Sequence, residues 1–145
     1  MTDDFDLQRF ISAQQAGGSY QHALSELSRG RKTSHWMWFV FPQVAGLGRS
    51  SMAQRYAIGS LTEARAYLAH PVLGARLREC ASTVLGLTGR TAEEVFGGID
   101  AVKLRSSLTL FEQAAPDEPL FGSVLDRYYA GVRDPATVRI LADLD

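Results

Sequence analysis

The segment His35–Gln43, with the sequence HWMWFVFPQ, concentrates the residue types that bind flat ligands. It contains both tryptophans of the chain, and six apolar residues follow one another from Trp36 to Phe41. Polar residues stand at its margins, with Lys32 before the segment and Gln43 at its end. A large aromatic surface edged by polar groups is typical of a small-molecule pocket. A hydrophobic core with a polar rim has the same pattern, so the reaction, if there is one, stays open.

The polar residues of this segment suit an anionic ligand. Lys32 can neutralise a phosphate, and Trp36 or Trp38 can stack on a ring. Histidine changes its charge near neutral pH, so His35 is the candidate general acid–base group. Lys103 is the candidate electrostatic stabiliser of a reaction. The alternative is packing, because a histidine at a helix start beside tryptophan is more often a satisfied structural residue.

A second candidate segment lies on the helix predicted to begin after a cap at Asp100. Lys103, Ser106 and Ser107 share one face of that helix at offsets of three and four residues. Two hydroxyl groups one turn from a lysine resemble an anion-binding surface, which makes both serines candidate ligand-binding residues. The alternative is that the hydroxyl groups bond back to carbonyls one turn earlier, as serines inside helices often do.

Gln14 and Tyr20 complete the set of candidate ligand-binding residues, on either side of the first predicted turn. A buried amide at Gln14 requires a hydrogen-bond partner, which is either a ligand or the backbone. The loop from Gly46 to Ser51 offers N–H groups at a helix start but lacks the G-x-x-x-x-G-K-[ST] pattern, so we interpret it as a connection. The chain shows no motif for a metal, and we predict neither a metal site nor a cofactor.

The elements that carry these residues are helical almost throughout the chain. The aromatic segment has the composition of a strand, but no second strand is available to pair with it, so we predict a helix from Ser34 to Phe41. Apolar periodicity, caps and glycine or proline breaks predict about nine helices. We therefore expect an all-α fold in which residues 1–145 form one domain.

Composition limits the classes of partner. The 145 residues carry a net charge of −1, which argues against a general nucleic-acid binder. Binding of nucleic acid through Arg29, Arg31, Lys32 and Arg49 is the weakest alternative. No apolar segment approaches the roughly 18 residues that span a membrane, and no secretory signal begins the chain. We expect a cytoplasmic protein without a membrane partner, and the sequence leaves its oligomeric state open.

Several strings are similar to those of an uncharacterised bacterial family of unknown function, sometimes labelled calpastatin in genomes. The similar strings are Asp6–Gln14, His35–Gln43, Gly46–Gly48, His70–Gly74 and Lys103–Phe111. The resemblance covers nearly the whole chain and implies an all-helical single domain, as in a mycobacterial member, but no activity. The calpastatin label does not fit, because such inhibitors are disordered chains of low hydrophobicity and this chain is 46% hydrophobic.

Two hypotheses about function follow. In the first, a pocket built from the aromatic segment and the Lys103–Thr109 helix binds a small anionic nucleotide or ADP-ribose-like ligand. If this pocket is catalytic, a hydrolytic or glycosyl-transfer step on that ligand fits its residues. In the second, the chain is a non-enzymatic protein-interaction module whose aromatic segment is core or interface. A cavity shared by Lys103, Ser107, His35 and Gln43 favours the pocket. Dispersed polar groups and buried aromatic rings favour the module.

Overall fold

Glycine and proline breaks divide the chain into helices, as the sequence predicts. The computed structural model describes residues 3–144, which are all-α, and none of their helices is long and apolar enough to cross a membrane. Ten α-helices and one 3-10 turn (Ala16–Gly18) follow in order: α1 (Gln8–Gln15), α2 (Ser19–Ser28), α3 (Met37–Val40), α4 (Ser51–Arg55), α5 (Leu61–Ala69), α6 (Leu73–Gly86), α7 (Ala92–Phe96), α8 (Gly98–Ala114), α9 (Pro119–Tyr129) and α10 (Pro135–Leu144).

Helix α8 is the central element of the fold. It packs against α5, α7, α9 and α10, and its residues Leu104, Leu108 and Phe111 are fully or almost fully buried. Burial on most sides explains why this helix has only a weak amphipathic pattern. Its first turn, from Gly98 to Ala101, reaches the surface and carries the exposed side chain of Ile99.

Side chains fix the starts of several helices. The sequence Thr91-Ala-Glu-Glu has the form of a capping box, and Thr91 and Glu94 do form one at the start of α7. Asp134 accepts a hydrogen bond from the Thr137 N–H at the start of α10. Two predicted caps are wrong. The sequence pattern predicts a cap at Thr62 for a helix from Glu63 to Ala69, but α5 begins two residues earlier, at Leu61, and Ser60 caps it. Asp100 lies inside the first turn of α8.

The aromatic segment forms a shorter helix than predicted. Only Met37–Val40 is helical, and Ser34 does not cap it because the Ser34 hydroxyl donates to the carboxylate of Glu26. Of the six apolar residues in the run, Trp38 alone is partly exposed. The segment is therefore mainly core. Directly after the segment, Val44 forms an isolated parallel β-bridge with Ile58.

A buried carboxylate organises the loop between α2 and α3. Glu26 accepts hydrogen bonds from the N–H groups of Thr33 (2.8 Å) and Ser34 (3.0 Å), from the Ser34 hydroxyl, and from the Trp36 indole (2.9 Å). Burial by itself raises the pKa of a carboxyl group, but these hydrogen bonds outweigh it and lower the pKa of Glu26 to about 2. The loop therefore depends on an ionised Glu26.

This arrangement predicts a pH-dependent contribution of Glu26 to stability. The folded-state pKa lies below the ordinary value of 4.5, so the contribution is complete above that value and is lost as the pH falls towards 2. We expect Glu26→Gln to lower the free energy of unfolding by about 1–3 kcal/mol at pH 7, because it weakens the acceptor for four donors.

Urea denaturation of the wild type and Glu26→Gln at pH 7, 5 and 3 measures this contribution. The difference between the two proteins should shrink from pH 5 to pH 3. Glu94→Gln, at the exposed capping box of α7, serves as the control for carboxylate removal. A difference that stays constant with pH would contradict the role of the Glu26 charge.

Candidate functional site

Both lysines of the chain converge on one carboxylate. The sequence has 15 cationic residues, of which only Lys32 and Lys103 are lysines. The Lys32 Nζ lies 2.8 Å from Asp100 Oδ2, and the Lys103 Nζ lies 3.3 Å from Asp100 Oδ1. Each carboxylate oxygen therefore faces a different ammonium group. Two cations share one anion, which leaves a local excess of positive charge.

The fold holds the two lysines differently. The backbone N–H of Lys32 donates to the carbonyl of Val95 in α7 (2.7 Å), and its Nζ donates to the Ser34 carbonyl (2.6 Å). The Lys32 side chain is only 7% exposed, whereas that of Lys103, on α8, is 24% exposed. Lys32 is thus a fixed charge at the base of the site, and Lys103 is the accessible one.

Each lysine also lies over a tryptophan ring. The Lys32 Nζ is 5.0 Å from the Trp36 ring centroid, and the Lys103 Nζ is 5.0 Å from the Trp38 ring centroid. Both distances are in the range of cation–π attraction. Trp36 is buried and its indole N–H is bonded to Glu26, so it supports Lys32 from the core and offers no face to a ligand. The prediction that Trp36 stacks on a ligand therefore does not fit its burial, and Trp38 is the tryptophan with an accessible ring.

These residues line a surface hollow of about 350 Å³, which we call the lysine hollow. Its wall consists of Lys32, His35, Met37, Trp38, Phe96, Gly97, Gly98, Ile99, Asp100 and Lys103. His35 is exposed here. The first N–H groups of α8 have no side-chain cap, and helix N-termini attract anions. The hollow combines cationic groups, an imidazole and one accessible indole face.

A second hollow of about 470 Å³ adjoins the first along Ile99 and Lys103. We call it the apolar hollow, and it is lined by Gln43, Leu47, Gly48, Ile99, Val102, Lys103, Ser106, Asp134 and Ala136. Apolar side chains form most of its surface. The two hollows together bring five predicted site residues to one face of the molecule: Lys32, His35, Gln43, Lys103 and Ser106.

The two serines do not form the predicted anion-binding face. Ser106 is 2% exposed, and its hydroxyl lies within hydrogen-bond distance of Asp134 Oδ2 (3.1 Å) and of the Val102 carbonyl (3.2 Å). Ser107 is fully buried, and its hydroxyl has no hydrogen-bond partner in the described part of the chain. The Ser106 hydroxyl is therefore engaged by the protein itself, and Ser107 lines neither hollow.

Gln14 and Tyr20 lie elsewhere in the molecule. The Gln14 amide donates to the Phe39 carbonyl (2.8 Å) and accepts from Arg76 (3.1 Å), while the Tyr20 hydroxyl donates to the Glu79 carboxylate. Neither residue lines the hollows, so their placement supports a structural role. The backbone alternative considered for Gln14 agrees with these contacts.

Cys80 is the single cysteine of the chain, and its position inside a helical pattern from Arg76 to Leu87 predicts a small buried side chain. It is completely buried, and burial raises the pKa of its thiol to about 12. A thiol with this pKa is not a nucleophile near neutral pH. Within residues 3–144, no three His, Cys, Asp or Glu side chains are grouped so that they could hold a metal ion.

The different exposures of the two tryptophans predict different fluorescence quenching. Trp36→Phe leaves only the half-buried Trp38, and Trp38→Phe leaves only Trp36, which is 1% exposed. We expect the acrylamide quenching constant to be several-fold larger for Trp36→Phe than for Trp38→Phe. Circular dichroism is the check that both variants are folded. Equal quenching of the two variants would contradict the geometry of the site.

Comparisons with known proteins agree with this fold. Among curated proteins no match is found. The crystal structure of the conserved hypothetical protein Rv1873 from Mycobacterium tuberculosis is similar to this chain, with 51% sequence identity and a TM-score of 0.93. The similarity covers 97% of this chain and 99% of that one. The profile of the family described as "Protein of unknown function (DUF1810)" matches residues 4–141, and the chain therefore belongs to this family.

Proposed function

We propose that the lysine hollow binds a small anionic ligand of the nucleotide or ADP-ribose class. The observation that carries this proposal is the convergence of Lys32 and Lys103 on Asp100 beside the accessible ring of Trp38. A phosphate group meets two cations there, and an aromatic wall adjoins them.

The hydrogen-bonding capacity of the lysines supports a phosphate ligand. An ammonium group has three donors. Lys32 donates one hydrogen bond to the Ser34 carbonyl and forms an ion pair with Asp100, while Lys103 forms an ion pair with Asp100 and lies over the Trp38 ring. Both lysines therefore retain donors for the oxygens of an anion. Because the Lys32 site is almost buried, its charge is poorly screened by salt and acts strongly on a bound phosphate.

The catalytic part of the proposal concerns His35 and Lys103. Both side chains line the lysine hollow, so an imidazole and an ammonium group can reach the same ligand. Proton transfer by His35 and charge stabilisation by Lys103 are the roles that a hydrolytic or glycosyl-transfer step on a nucleotide derivative requires. A cytoplasmic location suits such a ligand and remains a prediction.

Two observations favour the alternative, a protein-interaction module. The aromatic segment is mainly core, with Trp38 alone partly exposed, and two apolar side chains are exposed near the start of α8. Ile99 is 77% exposed and Val102 is 56% exposed, and both stand at the start of α8. Exposed apolar side chains at a groove are common in protein interfaces. Binding of small anions distinguishes the two proposals, because an interaction module has no reason to bind them at the lysines.

Isothermal titration with inorganic pyrophosphate and ADP tests the proposal. We expect Lys103→Met to weaken binding of both ligands by about 1.5–3 kcal/mol, the contribution of a charge-assisted hydrogen bond. Arg139→Met removes the same charge from an exposed site outside both hollows and should leave affinity nearly unchanged. Absence of binding to the wild type, or equal effects of the two variants, would contradict the proposal and favour the interaction module.

The position of Asp100 between the two lysines predicts that its removal strengthens anion binding, whereas the removal of a lysine weakens it. Asp100 competes with any incoming anion for both lysines. We expect Asp100→Asn to tighten pyrophosphate binding about tenfold, although it destabilises the fold because Lys32 loses its partner. Titration calorimetry and thermal denaturation measure the two effects. Weaker or unchanged pyrophosphate binding by the folded variant would show that Asp100 is not a competing anion.

A further inference from the structure

We infer that the apolar hollow is the subsite for the nucleobase of the same ligand, whose phosphates lie in the lysine hollow. This inference rests on the proposed function and adds to it the position and orientation of the ligand. The two hollows adjoin along Ile99 and Lys103, so a ligand that passes over these residues reaches both.

The charged residues of the two hollows indicate which end of the ligand lies in which hollow. Lys32 and Lys103 stand at the lysine hollow, whereas the buried carboxylate of Asp134 lines the apolar hollow. Asp134 Oδ1 lies 3.6 Å from Arg105, so this carboxylate is only loosely paired with a cation. A phosphate near Asp134 would be repelled. The neutral end of the ligand therefore fits the apolar hollow, and the anionic end fits the lysines.

The walls of the apolar hollow suit a flat ring. Leu47, Ile99, Val102 and Ala136 supply apolar side chains, and Val102 is 56% exposed. A ring that covers these side chains removes apolar surface from water, which favours binding. The hollows have volumes of about 350 and 470 Å³, so a phosphate group alone leaves the apolar hollow empty.

Gln43 supplies a group that can recognise the edge of a base. Its backbone carbonyl accepts from the Ile58 N–H (2.9 Å), which fixes the residue at the rim of the apolar hollow. No side-chain hydrogen bond of Gln43 occurs among the residues that the structure describes. A free amide has a donor and an acceptor side by side, and a nucleobase edge offers the complementary pair. Gln43 is therefore the specificity-determining residue of this subsite.

The test compares pyrophosphate, which can occupy only the lysine hollow, with ADP, which can occupy both. The readout is the ratio of the dissociation constants of pyrophosphate and ADP, measured by titration calorimetry. We expect ADP to bind the wild type at least about tenfold more tightly, and Gln43→Leu to reduce this advantage about tenfold.

A second pair of variants separates the subsite from a general effect of charge. Val102→Glu places a bulky charge in the apolar hollow, and Val132→Glu places the same charge at a valine that is 51% exposed and outside both hollows. The ratio should fall in Val102→Glu and stay at its wild-type value in Val132→Glu. Because pyrophosphate binding is measured for each variant, long-range repulsion of the phosphates cancels in the ratio.

The outcomes distinguish this inference from the proposed function. Pyrophosphate binding without an additional gain for ADP, or a ratio that Gln43→Leu and Val102→Glu leave unchanged, overturns the nucleobase subsite but not the anion site. Failure of both pyrophosphate and ADP to bind the wild type overturns both. A wild-type advantage for ADP that both variants abolish, and that Val132→Glu retains, supports the subsite.

Discussion

The buried carboxylate of Glu26 is the constraint on which the candidate site depends. Its partners are N–H and O–H donors of residues 33–36, so the charge is stabilised by the loop that it organises. This loop follows Lys32 and leads into α3. Once it is fixed, Trp36 points into the core and Lys32 lies between Val95 and Asp100. The ionised Glu26 carboxylate thus fixes the loop that follows Lys32 and leads to Trp36.

The site at the start of α8 has an excess of positive charge, and the ion pairs with Asp100 limit the desolvation cost of that charge. Asp100 bridges Lys32 and Lys103, which offsets the desolvation of the more buried ammonium group. The bridge also orders both lysines before a ligand arrives, and such preorganisation lowers the entropic cost of binding. In the proposed complex, an incoming anion would use the lysine donors that the bridge leaves free and would compete with the carboxylate for the others.

The sequence predicts the fold well because helix patterns and caps are local. The capping box at Thr91 and the start of α10 at Asp134 follow from short-range chemistry. The candidate site is predicted in part: Lys32, His35 and Lys103 do share a hollow. The spacing of three residues between Asp100 and Lys103 was a readable signal for their ion pair, but a cap was predicted at Asp100 instead.

Which of two neighbouring tryptophans is accessible could not be predicted, because α3 is too short to show a periodicity and its orientation depends on the distant Glu26.

Selective acylation of lysine amines, followed by mass spectrometry, tests the account's central claim most directly, since the chain has only two ε-amines. We predict that Lys103 reacts faster than Lys32 and that saturating pyrophosphate slows its acylation. Equal reactivity of the two lysines, or a Lys103 rate that pyrophosphate does not change, would contradict an anion site built on their shared carboxylate.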